Sequence, residues 1–157
     1  MQNHFIAWWN VENLFDEKDA PIERRPADIK RKIMADLSDW TPDVLDKKVQ
    51  NLASIICQMN SNQGPDILGL CEIENRYVLQ LLISKFNLPH RNYDIIHADL
   101  SDNRGIDVAF IYDKNRYQFN PAEFFQRYIV KRYATRETIQ ATLQTLKGNE
   151  LILLVNH

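Results

Sequence analysis

Residues 64–75 read Gly-Pro-Asp-Ile-Leu-Gly-Leu-Cys-Glu-Ile-Glu-Asn. Ile67–Cys71 is a continuous apolar run of strand length, which is typical of a strand buried on both faces. The run leads directly into two carboxylates, Glu72 and Glu74. Because α/β folds place their chemistry at strand ends, this stretch predicts an α/β fold with a polar site at the end of this strand.

A similar pattern stands near the amino terminus. His4–Trp9 is short, aromatic and apolar, and it leads into the polar residues Asn10 and Glu12. We interpret it as a second buried strand whose last residues face an opening. Residues 16–40 are charged and irregular, so we expect a long loop there, with a short helix over Asp28–Asp36.

Two helices are predicted from caps and periodicity. Thr41-Pro42 resembles a cap followed by proline at the first helical position. Apolar side chains then recur at helical spacing until Asn60–Gly64 ends the helix; they are Leu45, Val49, Leu52, Ile56 and Met59. Asn75 is suited to cap a second helix that runs through Phe86.

The remaining strands form pairs. Tyr93–His97 and Ile106–Tyr112 read as paired strands around the turn Ser101–Gly105. Thr138–Leu146 and Glu150–Asn156 read as an antiparallel hairpin. This last strand stops without a following element, so we expect a truncated chain. Its terminal strand would then expose apolar surface that an absent second sheet would cover. Such a surface favours self-association.

Composition limits the function classes. The 157 residues are 45% hydrophobic, which is sufficient for the core of a single domain over residues 1–157. The formal net charge is -2, so any polyanion must bind locally. No apolar run reaches the roughly 20 residues of a membrane span. Cys57 and Cys71 lie in apolar stretches and are read as buried, reduced thiols.

Four polar clusters could carry chemistry: Asn10–Asn13, Glu72–Asn75, Asp102–Asp107 and Asn156-His157. Magnesium prefers oxygen ligands, usually one or two carboxylates with water and phosphate oxygens, and Glu72 with Glu12 meets that need. Asparagine can donate to a phosphate oxygen, arginine can stabilise phosphate charge, and histidine can support phosphate-ester hydrolysis.

These segments carry a family resemblance. Ala7–Asp16, Gly64–Asn75, Asp102–Ala109 and Val155–His157 resemble the successive motifs of the endonuclease/exonuclease/phosphatase superfamily, with its DNase I-like fold, and are most similar to its bacterial nuclease-like branch. The resemblance spans Phe5–His157 in the expected order. It implies a two-sheet α/β sandwich, of which this chain covers about the first half, as a mixed sheet with helices on one face.

The resemblance also implies site roles. Asn10 would contact the scissile phosphate, while Glu72 would bind the essential divalent metal with Glu12 beside it. The metal would be Mg²⁺ or Mn²⁺, with Ca²⁺ a third candidate. His157 would lie near the phosphate, and the segment with Arg104 and Asp107 would border the site.

The chain departs from the family pattern in its missing second half. We identify neither the family's Asp-x-Asn motif nor its terminal Asp-His pair, which activate water and complete the metal and phosphate contacts. We therefore expect a metal-dependent phosphodiesterase, nuclease-like and acting on nucleic acid, whose isolated 157-residue chain is inactive.

Several alternatives stay open. The same motifs would serve a phosphatase or a phospholipid-headgroup phosphodiesterase, and a non-catalytic fragment or binding module would also retain them. Individual candidates have structural explanations: Asn75 as a helix cap, His157 as a structural histidine, Arg24-Arg25 as part of a solvated face. The absence of a signal peptide favours the cytoplasm, whereas an incomplete amino terminus would allow export.

Overall fold

The computed structural model describes residues 3–98, 105–131 and 134–157. Its strands and helices follow in chain order, with one short 3-10 helix at Pro121–Glu123. The strands are Ile6–Leu14 (β1), Ile67–Ile73 (β2), Tyr93–Ile96 (β3), Asp107–Asp113 (β4), Tyr117–Phe119 (β5), Phe125–Lys131 (β6), Ala134–Thr145 (β7) and Glu150–Asn156 (β8). The α-helices are Ala27–Ile33 (α1), Pro42–Asn62 (α2) and Arg76–Ser84 (α3).

The first sheet has the order β1-β2-β4-β3 and is mixed. Strands β1 and β2 run parallel, whereas β4 runs antiparallel to both β2 and β3. The two strands that carry the predicted site are therefore neighbours. Both extend further than predicted, because pairing resumes at Leu14 and Ile73 after an irregularity.

The helices cover one face of this sheet. Buried apolar residues of α2 and α3 pack against Leu68 and Leu70 of β2 and Ile111 of β4. The hydroxyl of Thr41 accepts a hydrogen bond from Val44 N–H at 3.3 Å, and the side chain of Asn75 accepts one from Val78 N–H at 3.2 Å. Both predicted caps are confirmed. Among the described helices, none is long and apolar enough to cross a bilayer.

The end of α2 is also where the sequence predicted it. Asn60, Ser61 and Asn62 have φ values of 53°, 55° and 65°, in the left-handed region, so the regular helix ends before them. Gly64 follows with a φ of 68°. A side chain at Gly64 would lie 2.5 Å from Leu88 Cδ1, so glycine is required both for backbone conformation and for space.

The second sheet is centred on β7. Strand β8 pairs with Thr138–Gln144 of β7, whereas β5 and β6 pair with successive parts of the same strand. Since a strand has two edges, β5 and β6 share one edge of β7 and β8 takes the other. The predicted hairpin is confirmed, and β7 begins earlier than predicted.

The two sheets pack face to face. Buried residues on the face of the first sheet remote from the helices, Ile67, Cys71 and Phe110 among them, contact Ile139 and Val155 of the second sheet. The mixed sheet with helices on one face is therefore confirmed, and the second sheet forms the other layer.

The expectation that a second sheet is absent is wrong. Strand β8 lies in that sheet and turns Leu153 and Val155 toward the first one. Its outward residues Ile152 and Leu154 are 62% and 66% exposed, so the strand has apolar surface on its outer face only. Self-association through that face stays a prediction.

Candidate active site

The site lies where β1 and β2 both depart from regular pairing. The register runs from Asn10 opposite Cys71 to Leu14 opposite Ile73, so three residues of β1, Val11–Asn13, face Glu72 alone. Glu12, Asn13 and Glu72 have φ values of 56°, 59° and 67°. A left-handed conformation costs a non-glycine residue about 1 kcal/mol, and such strain clusters at functional sites.

The irregularity redirects the side chain of Glu72. In regular alternation Glu72 would face the helices together with Leu70, and Ile73 would face the second sheet. Instead Leu70 and Ile73 both lie in the helix-side core, while Cys71 lies between the sheets. The bulge thus keeps the apolar residues buried and brings the Glu72 carboxylate out at the end of the sheets.

Two candidate residues, Asn10 and His157, and one backbone N–H meet at this carboxylate. Asn10 Nδ2 donates to Glu72 Oε1 at 3.1 Å, and His157 Nε2 lies 3.0 Å from the same oxygen. The backbone N–H of Asn13 donates to Glu72 Oε2 at 3.0 Å. Because His157 directly follows β8, this contact joins the ends of both sheets.

Glu12 is held by its backbone. Its N–H donates to Asn10 Oδ1 at 2.8 Å, and its carbonyl accepts from Lys48 Nζ at 2.5 Å. The family resemblance places Asn10, Glu12 and Glu72 in one site, and regular strand alternation is interrupted there by the bulge. Asn10 nevertheless contacts both the Glu12 backbone and the Glu72 carboxylate.

Lys48 of α2 is the cation beside these groups. Burial lowers the pKa of its ammonium, and the Glu12 and Glu72 carboxylates partly offset this shift. Both carboxylates therefore lie within electrostatic reach of the same ammonium. Burial, reinforced by Glu72, raises the pKa of the Cys71 thiol to about 11, so Cys71 is a neutral thiol at physiological pH.

The donor set fits a hard cation bound in part by water. In the described residues no three His, Cys, Asp or Glu side chains group closely enough to hold a metal by themselves. Glu72 nevertheless offers carboxylate oxygens with lone pairs beyond its three contacts. No Lys or Arg in the described ranges forms a salt bridge with it, and its side chain is 15% exposed. Magnesium commonly takes one or two carboxylates and completes its shell with water and phosphate oxygens.

Asp107 lies in a different cluster. It is buried at the start of β4, with Oδ2 3.3 Å from His97 Nε2. It lines a cavity of about 120 Å³ together with Arg25 and Glu74. In the described part of the chain it forms no hydrogen bond or salt bridge with Glu72 or Asn10. Arg104, also predicted at the site, lies outside the described residues.

The interpretation of Arg25 as part of a solvated face is wrong. Its side chain is fully buried, and it donates through Nε to Glu74 Oε1 at 2.5 Å and through Nη2 to Glu74 Oε2 at 2.7 Å. The same guanidinium donates to the carbonyls of Asp16, Glu17 and Lys18. This bidentate pair ties the loop after β1 to the end of β2.

Sequence reasoning missed two features of this cluster, Lys48 and the Asn13 N–H. Lys48 lies one turn before Leu52 and next to Val49, at the margin of the apolar face of α2, and that position was a usable signal. The direction of the Asn13 N–H depends on the left-handed backbone of the bulge. No glycine in this segment signals that conformation in the sequence.

The sequence does contain one Asp-x-Asn, Asp113-Lys114-Asn115, which sequence reasoning did not identify. Asp113 accepts hydrogen bonds from the backbone N–H groups of Asn92 and Asn115 and contacts Arg91 Nη1 at 3.0 Å. This turn follows β4 at the end of the sheet remote from Glu72, because β2 and β4 are antiparallel and Asp113 N–H donates to Asp66 O. Asp113-Lys114-Asn115 therefore cannot complete the site.

Two solved structures are among those that this chain matches. One is the catalytic domain of human Nocturnin with bound sulfate, with 18% identity, a TM-score of 0.47, and coverage of 95% of this chain and 48% of that one. The other is ANGEL2, a 2′,3′-cyclic phosphatase, with 10% identity, a TM-score of 0.51, and coverage of 98% of this chain and 40% of that one. The chain thus spans less than half of each.

A comparison with curated proteins found no significant match. The model of the endonuclease/exonuclease/phosphatase family matches residues 5–157, nearly the whole chain. The two-sheet architecture of this chain agrees with the DNase I-like fold that the resemblance of its motifs implies. The chain belongs to the endonuclease/exonuclease/phosphatase family.

Proposed function

We propose that this chain carries the metal- and phosphate-binding half of a divalent-metal-dependent phosphodiester hydrolase that acts on nucleic acid. Members of its family are hydrolases that act on phosphoesters. The proposal adds the metal, the diester and the polymer to that shared activity.

One observation carries the proposal. Glu72 emerges from a strained bulge at the common end of both sheets, held by Asn10, His157 and the Asn13 N–H, and it has no arginine or lysine salt bridge in the described residues. A largely buried carboxylate that is oriented but not neutralised by such a pair is suited to a cation.

Each site residue would have a separate role. Glu72, with Glu12 beside it, would hold Mg²⁺ or Mn²⁺, with Ca²⁺ a third candidate. A bound divalent cation supplies charge stabilisation at the phosphoryl oxygens. Asn10 Nδ2 would donate to a phosphate oxygen, and His157 would hold or deliver a proton at its Nε2 atom. The segment with Arg104 and Asp107 would border the site, as the family resemblance implies.

The alternatives share this chemistry. A phosphatase or a phospholipid-headgroup phosphodiesterase would use the same metal and phosphate contacts. A binding module would bind metal and phosphate without turnover. Substrate tests therefore need a diester and a monoester, plasmid DNA, RNA, a 2′,3′-cyclic phosphate and a choline phosphodiester in parallel.

Metal titration tests the proposal directly. Glu72→Gln keeps the side-chain volume and removes the charge that a divalent cation requires, so we expect Mn²⁺ affinity to fall by at least about 100-fold. Calorimetry or Mn²⁺ electron paramagnetic resonance measures this. Glu150→Gln is the matched control, because it makes the same change on an exposed side chain at the other end of β8. Equal Mn²⁺ affinity of Glu72→Gln and the parent chain, with the fold intact, would refute the assignment.

Turnover is tested on the same proteins. Because the water-activating elements of the family are not found in residues 1–157, we expect no appreciable hydrolysis of plasmid DNA or bis-nitrophenyl phosphate by this chain alone, with or without Mg²⁺. Hydrolysis at a rate typical of a metal nuclease, abolished by Glu72→Gln, would show that this half suffices. A longer native form, if it hydrolyses the diester, separates the enzyme from the binding module.

A further inference from the structure

The bulge of β1 is held together by side chains rather than by the sheet. Between Asn10 and Leu14 the ladder with β2 is interrupted, so backbone groups there need other partners. The N–H of Glu12 binds the Asn10 side chain, and the N–H of Asn13 binds Glu72. The carbonyl of Glu12 is bound by Lys48, 36 residues away in sequence.

Lys48 is well placed to be a fixed support. It lies on α2, whose neighbouring residue Val49 is buried in the core against the sheet. Its side chain is half-buried, and Nζ is 5.6 Å from the centre of the Trp40 ring. Nζ is also 2.5 Å from the Glu12 carbonyl, which is a short, charge-assisted hydrogen bond.

Trp40 fastens the chain on the other side of the bulge. Its indole N–H donates to the Phe15 carbonyl at 3.2 Å, and its ring packs edge-on against the Phe15 ring at 5.8 Å. Lys48 and Trp40 therefore bracket the segment from Glu12 to Phe15. The left-handed residues Glu12 and Asn13 lie at the Lys48 end of that segment.

We propose that Lys48 is a positioning residue of the Glu72 site: it holds the Glu12 carbonyl, and so keeps the left-handed bulge in the form that aims the Asn13 N–H and the Asn10 amide at the Glu72 carboxylate. This inference rests on the proposed function, since the oriented carboxylate is the proposed metal ligand. Lys48 would not itself touch the metal.

The sign of the effect distinguishes positioning from charge. A positive charge near a cation site weakens cation binding, so an ammonium that acted only through its charge would, when removed, leave the site with a higher metal affinity. A positioning residue does the opposite. When the support of an oriented ligand is lost, metal affinity typically falls by about 10-fold or more.

The experiment compares Lys48→Met with the parent chain. Methionine keeps an unbranched apolar side chain and removes the ammonium. We expect Mn²⁺ affinity to fall by about 10-fold although a positive charge has been removed. In the metal-free protein we expect amide hydrogen exchange at Asn13, followed by nuclear magnetic resonance, to speed up by about 10-fold as its hydrogen bond to Glu72 is loosened.

Two further variants control this result. Lys47→Met removes the same charge from an exposed position on the same helix, and it should change neither quantity. Lys48→Arg keeps a charged donor and should retain the Mn²⁺ affinity within about threefold. Unchanged Asn13 exchange in Lys48→Met, or Mn²⁺ binding as tight as or tighter than in the parent, overturns the proposal.

The proposed function fails separately. If Glu72→Gln binds Mn²⁺ as the parent does, the metal assignment is wrong whatever Lys48 does. Amide exchange at Asn13 requires neither metal nor turnover, so in that case it alone decides whether Lys48 holds the bulge.

Discussion

A carboxylate lies at each end of β2, and the two differ in whether arginine side chains pair with them. At the start of the strand Asp66 is 1% exposed, and its Oδ1 lies 2.6 Å from both Arg91 Nη1 and Arg116 Nη1. Its other oxygen accepts the N–H of Phe5 at 2.8 Å. The charge of Asp66 is thus neutralised by two arginines, and its hydrogen bonds join the amino-terminal segment to the loops at this end of the sheet. We call this group of contacts the Asp66 clamp.

At the other end, Glu72 has neutral hydrogen-bond donors and a histidine instead of arginines. Two residues further on, Glu74 is again neutralised, by the buried Arg25. Arginine pairing therefore accompanies the carboxylates that fasten the fold, and Glu72 stands apart on a strained backbone. This difference supports the proposal that Glu72 binds a cation.

The largest expected effect tests the clamp. Asp66→Asn leaves Arg91 and Arg116 without their shared charge, so we expect a loss of about 3 kcal/mol in the free energy of unfolding. Urea denaturation measures this. Glu72→Gln, the same chemical change at the other end of β2, should lower the free energy of unfolding by less than about 1 kcal/mol. Equal losses would show that Glu72 is also a structural charge and would remove the contrast between the two ends.

A smaller effect is expected at Asn10, which bridges Glu12 and Glu72. Asn10→Ala removes a donor to Glu72 Oε1 and an acceptor for the Glu12 N–H, so Mn²⁺ affinity should fall by about 10-fold while stability falls by about 1 kcal/mol. Asn115→Ala is the control, because it removes an amide that binds the His90 carbonyl at the opposite end. Unchanged Mn²⁺ affinity in Asn10→Ala would mean that Glu72 does not depend on this bridge.

The smallest effect concerns backbone strain at Glu12. Glycine adopts a φ of 56° without the cost of a Cβ atom, so Glu12→Gly should be more stable than Glu12→Ala by about 1 kcal/mol. Both variants remove the exposed carboxylate, so both should lower Mn²⁺ affinity, by less than 10-fold. Thermal or urea denaturation of the pair isolates the strain. If alanine proves the more stable of the two, the bulge is not strained at this residue.

Much of the architecture could be predicted because its signals are local. The apolar run before Glu72, the caps at Thr41 and Asn75 and the hairpin turn at Lys147–Asn149 each depend on neighbouring residues, and all are in the structure. The meeting of Asn10 with Glu72 followed from two strands that end in polar residues and pair in parallel. The roles of these residues stay predictions.

The sequence by itself determined the helices, six of the eight strands and the carboxylates at the strand ends, because periodicity and capping act within a few residues. Strands β5 and β6 were not predicted. Only the tertiary structure decided which charges are neutralised. The Arg25 guanidinium meets the Glu74 carboxylate across 49 residues, so this ion pair exists only after the loop and the sheet have packed. The hydrogen bond from Lys48 to the Glu12 backbone carbonyl, across 36 residues, depends on packing in the same way. The left-handed backbone at Glu72 is likewise a consequence of tertiary packing. Ile73 must be buried on the helix side while the Glu72 carboxylate reaches the end of the sheets.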